Sequence, residues 1–335
     1  MHACTAALCT GVQIYLAGCG AAISLALSGV WAAALTSPPM ALLITHSCRT
    51  ARRREGPPSV FFCVLLALTL FFCAVYAVCA SAAFAAQTLV SQAQTVWIAS
   101  LCTLFAALCA TGSSEGISRL SFSLRTALPA SIITLILFAL PDHPPSGLFP
   151  ILGTGGVPLV LAALCMLCGA APALLLLLPP PGLEDCRAQE EPPPARFFLM
   201  RMLAGSIIGV LLLFLAGVCT TYESLLENKG WGVRLCLLSQ YQPHRGVLQM
   251  ALTLLQLCAM ILLAANMLGG AHRALALALR SRKTGKGLLT ALTTALLLCV
   301  LCAAALGDTW LLIGLPLLIV PSLILIIFAG RVVRL

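Results

Sequence analysis

Val60-Phe-Phe-Cys-Val-Leu-Leu-Ala-Leu-Thr-Leu-Phe-Phe-Cys-Ala-Val-Tyr-Ala-Val-Cys-Ala-Ser-Ala-Ala-Phe84 runs without a charged residue, and only Thr69, Tyr76 and Ser81 carry hydroxyls. A helix of roughly 20 apolar residues crosses the hydrocarbon core of a bilayer, so this stretch reads as a transmembrane helix. The rest of the chain repeats the pattern. Of 335 residues, 61% are hydrophobic and 9% charged, with a mean hydropathy of +1.05. A soluble fold of this size needs a polar exterior that such a composition does not supply.

Outward from Val60–Phe84, further runs of the same kind are Thr95–Thr111, Thr126–Leu140, Ile151–Leu178, Phe197–Cys219, Val247–Leu268, Leu288–Leu306 and Thr309–Ala329. The first stretch, from about Thr5 to Ser47, is harder to divide. Gly11–Leu35 is one span, Pro38-Pro39 interrupts the remainder of the stretch, and Met40–Ser47 is either an interfacial half-helix or the stump of a second crossing. Leu225–Gln240 is too polar for an ordinary span. The expected fold class is therefore an all-α integral membrane protein, a polytopic helical bundle of nine to eleven transmembrane helices in two halves. Ala32-Ala33-Ala34 resembles a cleavage site, but no Lys or Arg precedes the apolar run, so a retained first helix is expected rather than a signal peptide.

Basic residues mark the cytoplasmic side of membrane proteins. Arg49, Arg52, Arg53 and Arg54 form one cluster, and Arg273, Arg280, Arg282, Lys283 and Lys286 another. With nine crossings both fall on one side, with Arg119, Arg125, Arg331 and Arg334, which places the C-terminus in the cytoplasm. The loop Thr220–Gly246, with Lys229, Arg234 and Arg245, falls outside, and either it is a tolerated exception or it contains an extra re-entrant piece. The net charge of +9 belongs to these flanks. It acts as a topology signal with some attraction to anionic headgroups, and no pattern for nucleic acid accompanies it.

Residues 179–196 have soluble composition: prolines at 179–181 and 192–194 bracket an acidic centre with Glu184, Asp185, Glu190 and Glu191. This segment reads as a Pro-rich acidic cytoplasmic connector between an N-terminal transmembrane half, 1–178, and a C-terminal one, 197–335. The last helix of each half is rich in helix breakers, Pro158 and Pro172 in one and Pro316 and Pro321 in the other. Interrupted spans in matching positions of two halves point to a transport site, although proline is also frequent in ordinary membrane helices.

Few polar groups lie inside the spans. Arg201 sits close enough to the start of its helix to snorkel to the headgroups. Gln249 and Gln256 are seven residues apart on one helix face and Asn266 follows, amides suited to hydrogen bonds between helices or to contact with a solute. Gly205-Ser-Ile-Ile-Gly209 is a GxxxG motif that lets two helices approach closely, with an internal partner expected. Most of the seventeen cysteines sit mid-span, where a thiol behaves as a small apolar side chain. Cys219 with Cys236, and Cys4 with Cys9, are candidate disulfide pairs in an oxidising compartment. No catalytic, cofactor-binding or metal-binding site is expected: the chain contains no GxGxxG, Walker A or HExxH. It also lacks an Asn-x-Ser/Thr sequon.

The early cluster Arg49-Thr-Ala-Arg52-Arg-Arg, the divider at 179–194 and the late basic turn Arg280-Ser-Arg-Lys-Thr-Gly-Lys286 give a layout that resembles the multi-spanning envelope proteins of herpesviruses. That resemblance implies a virion envelope protein acting in cell-to-cell spread, often beside a single-span glycoprotein partner. Some members are also similar in architecture to equilibrative nucleoside transporters, with eleven helices in a six-plus-five arrangement. The chain has no Arg-Gly-Asp, and two spans follow the late basic turn where the family layout has one. The expected function is that of a non-enzymatic multi-pass membrane protein organising membranes and partners. The alternative is a secondary transporter, or a protein derived from one, taking a small neutral solute near the proline-broken helices.

Overall fold

In a computed structural model, the structure describes residues 2–25, 30–52, 59–88, 95–111, 124, 127, 130, 133–134, 156–178, 195–218, 246–279, 285–306 and 314–332. Among these residues the secondary structure is helical throughout, with no strand. We number the helices α1 (His2–Leu25), α2 (Val30–Ala34), α3 (Ser37–Arg52), α4 (Val60–Thr88), α5 (Thr95–Thr111), α6 (Gly156–Leu167), α7 (Ala195–Val218), α8 (Gly246–Leu279), α9 (Gly285–Leu306) and α10 (Leu315–Val332). A 3₁₀ segment, Cys168–Leu177, continues α6. Ala, Leu and Met are strong helix formers, and helices hydrophobic all round must be buried or lie in lipid.

Four helices among the described residues are long and apolar enough to cross a membrane: Val60–Ala86, Gly156–Leu177, Arg196–Phe214 and Leu254–Leu279. Cys4–Gly18, Val96–Thr111, Gly287–Ala303 and Leu318–Ile327 are shorter apolar helices. Of the run Thr126–Leu140 only residues 127, 130, 133 and 134 are described, each helical. Leu225–Gln240 and the connector core 179–194 lie outside the described residues.

The first stretch divides differently from its sequence reading. Pro38 and Pro39 do not interrupt a helix; they open α3, where a missing N–H is an orphan in any case. The Leu35 and Thr36 amides donate to Ala32 O and Ala33 O, and the Met40 amide reaches Thr36 O. Helix α2 thus passes into α3 through a hydrogen-bonded turn at Leu35 and Thr36.

The most extensive pairings, α4 with α8 and α1 with α7, each join a helix before the connector to one after it. Around α4 and α8 pack α5 and α9; around α1 and α7 pack α3, α6 and the 3₁₀ segment, and α10 touches α3, α4 and α6. One continuous apolar core runs through the described helices, and its largest fully buried side chains include Ile14, Ile44, Leu70, Tyr76, Met166, Leu174 and Leu175. The outer faces are apolar as well. Val96, Trp97, Leu101, Leu104, Phe105 and Leu108 are exposed along α5, and Phe197, Met200, Ile207 and Leu211 along α7. Exposed apolar stripes of that extent mark surfaces that meet lipid or a partner.

Helix directions follow from which residues meet. Cys4 lies at Arg201, Ala7 at Gly205, Gly11 at Gly205 and Gly209, and Gly18 at Leu213. The numbers rise together, so α1 and α7 run in the same direction. Thr36 meets Ala163, Ser37 meets Met166 and Cys48 meets Ala173, so α3 runs with α6 and the 3₁₀ segment. Four residues separate Leu25 from Val30, so α2 starts near the end of the group where α1 finishes. One end of this group therefore gathers the start of α1, the end of α3 at Arg52, the end of the 3₁₀ segment before the connector, and the start of α7.

Candidate polar site at a helix break

Most hydroxyls on these helices serve their own helix. Thr10, Thr45, Thr69, Ser81, Ser100, Thr103, Thr293 and Thr294 each donate to the carbonyl four residues back, the usual solution where water is excluded. Thr36 and two side chains of α3 reach another helix instead. Thr36 Oγ1 donates to Ala33 O at 2.8 Å and contacts Ala163 O at 3.5 Å. Ser37 Oγ donates to Met166 O at 2.8 Å, and the Cys48 thiol reaches Ala173 O at 3.9 Å. The start and the later turns of α3 thus strap the carbonyls of α6 and of the 3₁₀ segment.

The ten-residue 3₁₀ segment is long for its kind, since such runs seldom exceed a turn. Pro172 lies within it and supplies no N–H, so the carbonyl of Gly169 receives no ladder donor from position 172. Gly169 packs on α1: a Cβ there would stand 2.7 Å from Ile14 Cγ1 and 3.0 Å from Ile14 Cα. One residue earlier on α1 is Gln13, fully buried, and neither its Nε2 nor its Oε1 has a hydrogen-bond partner. Its polar neighbour is the Cys168 thiol, a weak donor and acceptor. On the third side stands α4, whose Tyr76 hydroxyl donates to Leu16 O at 3.1 Å. Each buried polar group left unpaired costs about 1–3 kcal/mol.

The residues singled out in the sequence fall in several places. Gly205 and Gly209 pack against α1 of the same chain: a Cβ on Gly11 would come within 2.7 Å of Gly205 O, and one on Gly209 within 2.6 Å of Gly11 O. Arg201 finds partners near the start of its own helix and of α1. It is half-buried, its Cζ lies 3.6 Å from the Phe197 ring centroid, and Nη1 donates to Cys4 Sγ at 3.0 Å. Gln256 is buried with Oε1 unpaired, whereas Asn266 Nδ2 donates to Leu262 O of its own helix at 2.8 Å. Gln249 lies in α8, but its side chain is outside the described residues.

Pro158 is the third residue of α6, which continues through it; the break comes at Cys168 instead, ahead of Pro172. Pro316 is the second residue of α10, with its side chain outside the described residues, and Pro321 lies within α10, exposed and passed through by the helix. Cys219 and Cys236 lie outside the described residues. Cys4 and Cys9 are buried and not joined by a disulfide, since five residues along one helix place their side chains on different faces. The four thiols of Cys165-x-x-Cys168 and Cys299-x-x-Cys302 form no disulfide either. No group of three metal-ligating side chains forms among the described residues.

The sequence pattern does not single out Gln13, an uncharged amide inside an apolar run with no second amide at helical spacing. Only the fold brings it beside a break in another helix. No protein-family model matches the chain, and a search of curated proteins finds no match.

Proposed function

We propose that this chain is a multi-pass membrane protein that acts through packing and partners rather than by catalysis, in the manner of the viral envelope proteins whose layout it resembles. The observation that carries this reading is the combination of a tight apolar interior with apolar outer stripes on α5 and α7. Side-chain hydroxyls are spent on helix carbonyls rather than gathered into a reacting set. The basic clusters and the divider at 179–194 support the viral layout, with a single-span glycoprotein as the kind of partner it implies. Together α2 and α3 make a second crossing of the first stretch, which brings the total to ten. The start of α1, the connector and the C-terminal end then all lie in the cytoplasm, as the basic residues require.

A second reading, a protein derived from a neutral-solute transporter, is favoured by one observation: the α6 break beside the unpaired Gln13. Uptake of radiolabelled nucleosides and other small neutral solutes into proteoliposomes separates the two. The first reading predicts no saturable uptake by folded protein. Saturable uptake that Gln13→Leu and Gln256→Ala both abolish would overturn it and establish the second.

A further inference from the structure

The first two turns of α7 carry two arginines, Arg196 and Arg201. This helix is apolar enough to cross a membrane and is the least enclosed of the four that are. Every Asp and Glu of the chain lies outside the described residues, so among these residues no carboxylate pairs with either guanidinium. Arg196 is exposed. Arg201 is half-buried and held: its Cζ lies 3.6 Å from the Phe197 ring centroid, and Nη1 donates to Cys4 Sγ at 3.0 Å. A guanidinium carries five N–H donors in a fixed fork, and a thiol is a weak acceptor. Contact with one ring and one bond to a thiol leave most of that capacity unused among the described residues.

At about 100° per residue, Arg196 and Arg201 fall on opposite edges of one exposed stripe, formed by Phe197, Met200, Ala204, Ile207 and Leu211. The stripe runs away from the two cations for roughly 20 Å at 1.5 Å per residue. That covers the depth of one leaflet, roughly 15 Å or half of the hydrocarbon core. A molecule that matches both parts has a phosphate at one end and an alkyl chain at the other, and arginine is suited to grip phosphate with two parallel bonds. The end of α3, with Arg49 and Arg52 in its last turn, gathers at the same end of the helix group. A surplus of cations there favours a headgroup of net negative charge over a zwitterionic one. We propose that Arg201, with Arg196 across the stripe, binds the headgroup phosphate of an anionic phospholipid whose acyl chain lies along α7. Arg201 is the anchor, because Phe197 and Cys4 already fix its side chain and little freedom is lost on binding. The site rests on the reading of α7 as a membrane crossing and names a ligand of that surface.

The test is native mass spectrometry of the full chain in neutral detergent, titrated with phosphatidylglycerol or with phosphatidylcholine of the same acyl chains. The wild type is expected to bind one phosphatidylglycerol about fivefold more tightly than phosphatidylcholine. Arg201→Gln is expected to bring the two affinities within about twofold, and Arg201→Lys to keep part of the preference, since the charge stays while the fork is lost. Arg196→Gln leaves the contact with Cys4 intact and also lowers the preference, so it covers the case in which Arg201→Gln does not fold. Equal binding of both lipids by the wild type would overturn the site, as would an equal loss in Lys286→Gln, which removes a cation from another helix. Displacement of the bound lipid by inorganic phosphate would overturn the lipid as occupant. Several-fold tighter binding in the double variant Glu190→Gln, Glu191→Gln would show the connector's carboxylates to be the occupant instead. Binding of neither lipid would fail the multi-pass reading as well, whereas equal binding of both fails the site alone.

Discussion

At the scale of single residues, the contact between α1 and α7 is set by what is missing. Gly11, Gly205 and Gly209 bring one backbone to within a Cβ of the other, and a Cβ on Gly209 would also stand 3.1 Å from Ile14 Cβ. A backbone carbonyl cannot swing aside as a side-chain tip can, so the two helices must separate to admit a methyl group. Gly209→Ala is therefore expected to lower stability by about 1–3 kcal/mol, the usual range for overpacking. Gly269, with nothing within 4 Å of its Cβ position, gives the opposite result: Gly269→Ala is expected to stabilise by about 0.5–1 kcal/mol, because alanine is the better helix former. Chemical denaturation of both variants checks the pair. Tyr76→Phe removes the donor to Leu16 O and is expected to destabilise by about 1 kcal/mol in the same assay. The GxxxG spacing and the apolar runs were legible in the sequence because they are local patterns. That the partner is the Ala7–Gly11 edge of α1, and that Arg201 meets Cys4, were not, because these contacts join residues nearly 200 positions apart.

At the scale of elements, prolines had different consequences according to where they fall in a helix. Pro38 and Pro39 begin α3, Pro158 is accommodated early in α6, and Pro321 is carried within α10. Only Pro172 lies in a segment that has left the α geometry. Composition identifies every one of these prolines as a breaker, but which of them breaks a helix depends on whether a neighbour satisfies the carbonyls. Thr36, Ser37 and Cys48 do so from α3, a role invisible in a sequence where they look like the edge of an uncertain half-helix. Ser37→Ala is expected to remove the hydrogen bond to Met166 O and lower stability by about 1 kcal/mol. It should also raise hydrogen exchange of the backbone amides in α6 and in the 3₁₀ segment relative to α4. Equal exchange in both elements would show that the strap does not hold this helix.

At the scale of the whole molecule, the division into two halves by the connector is a statement about the chain, and the packing is a statement about space. The strongest pairings, α1 with α7 and α4 with α8, cross the connector, so the halves hold each other rather than standing apart. Coexpressed fragments 1–178 and 195–335 are expected to associate through these faces, and Gly205→Leu, which drives a bulky side chain into Ala7 and its carbonyl, is expected to weaken their association at least tenfold. The arginines give an expected sidedness, and the parallel pairing of α1 with α7 extends that expectation to the first stretch. If α1 and α7 run in the same direction and the bundle crosses a membrane, residues ahead of Cys4 and the connector must lie on one side. The most direct measurement places epitopes ahead of Cys4, within 183–190 and within 142–148, then probes them in cells before and after selective permeabilisation of the plasma membrane. The first two are predicted to be cytosolic and the third to face the opposite compartment; an epitope ahead of Cys4 on the opposite side from the connector would contradict the parallel pairing and the ten-crossing bundle built on it.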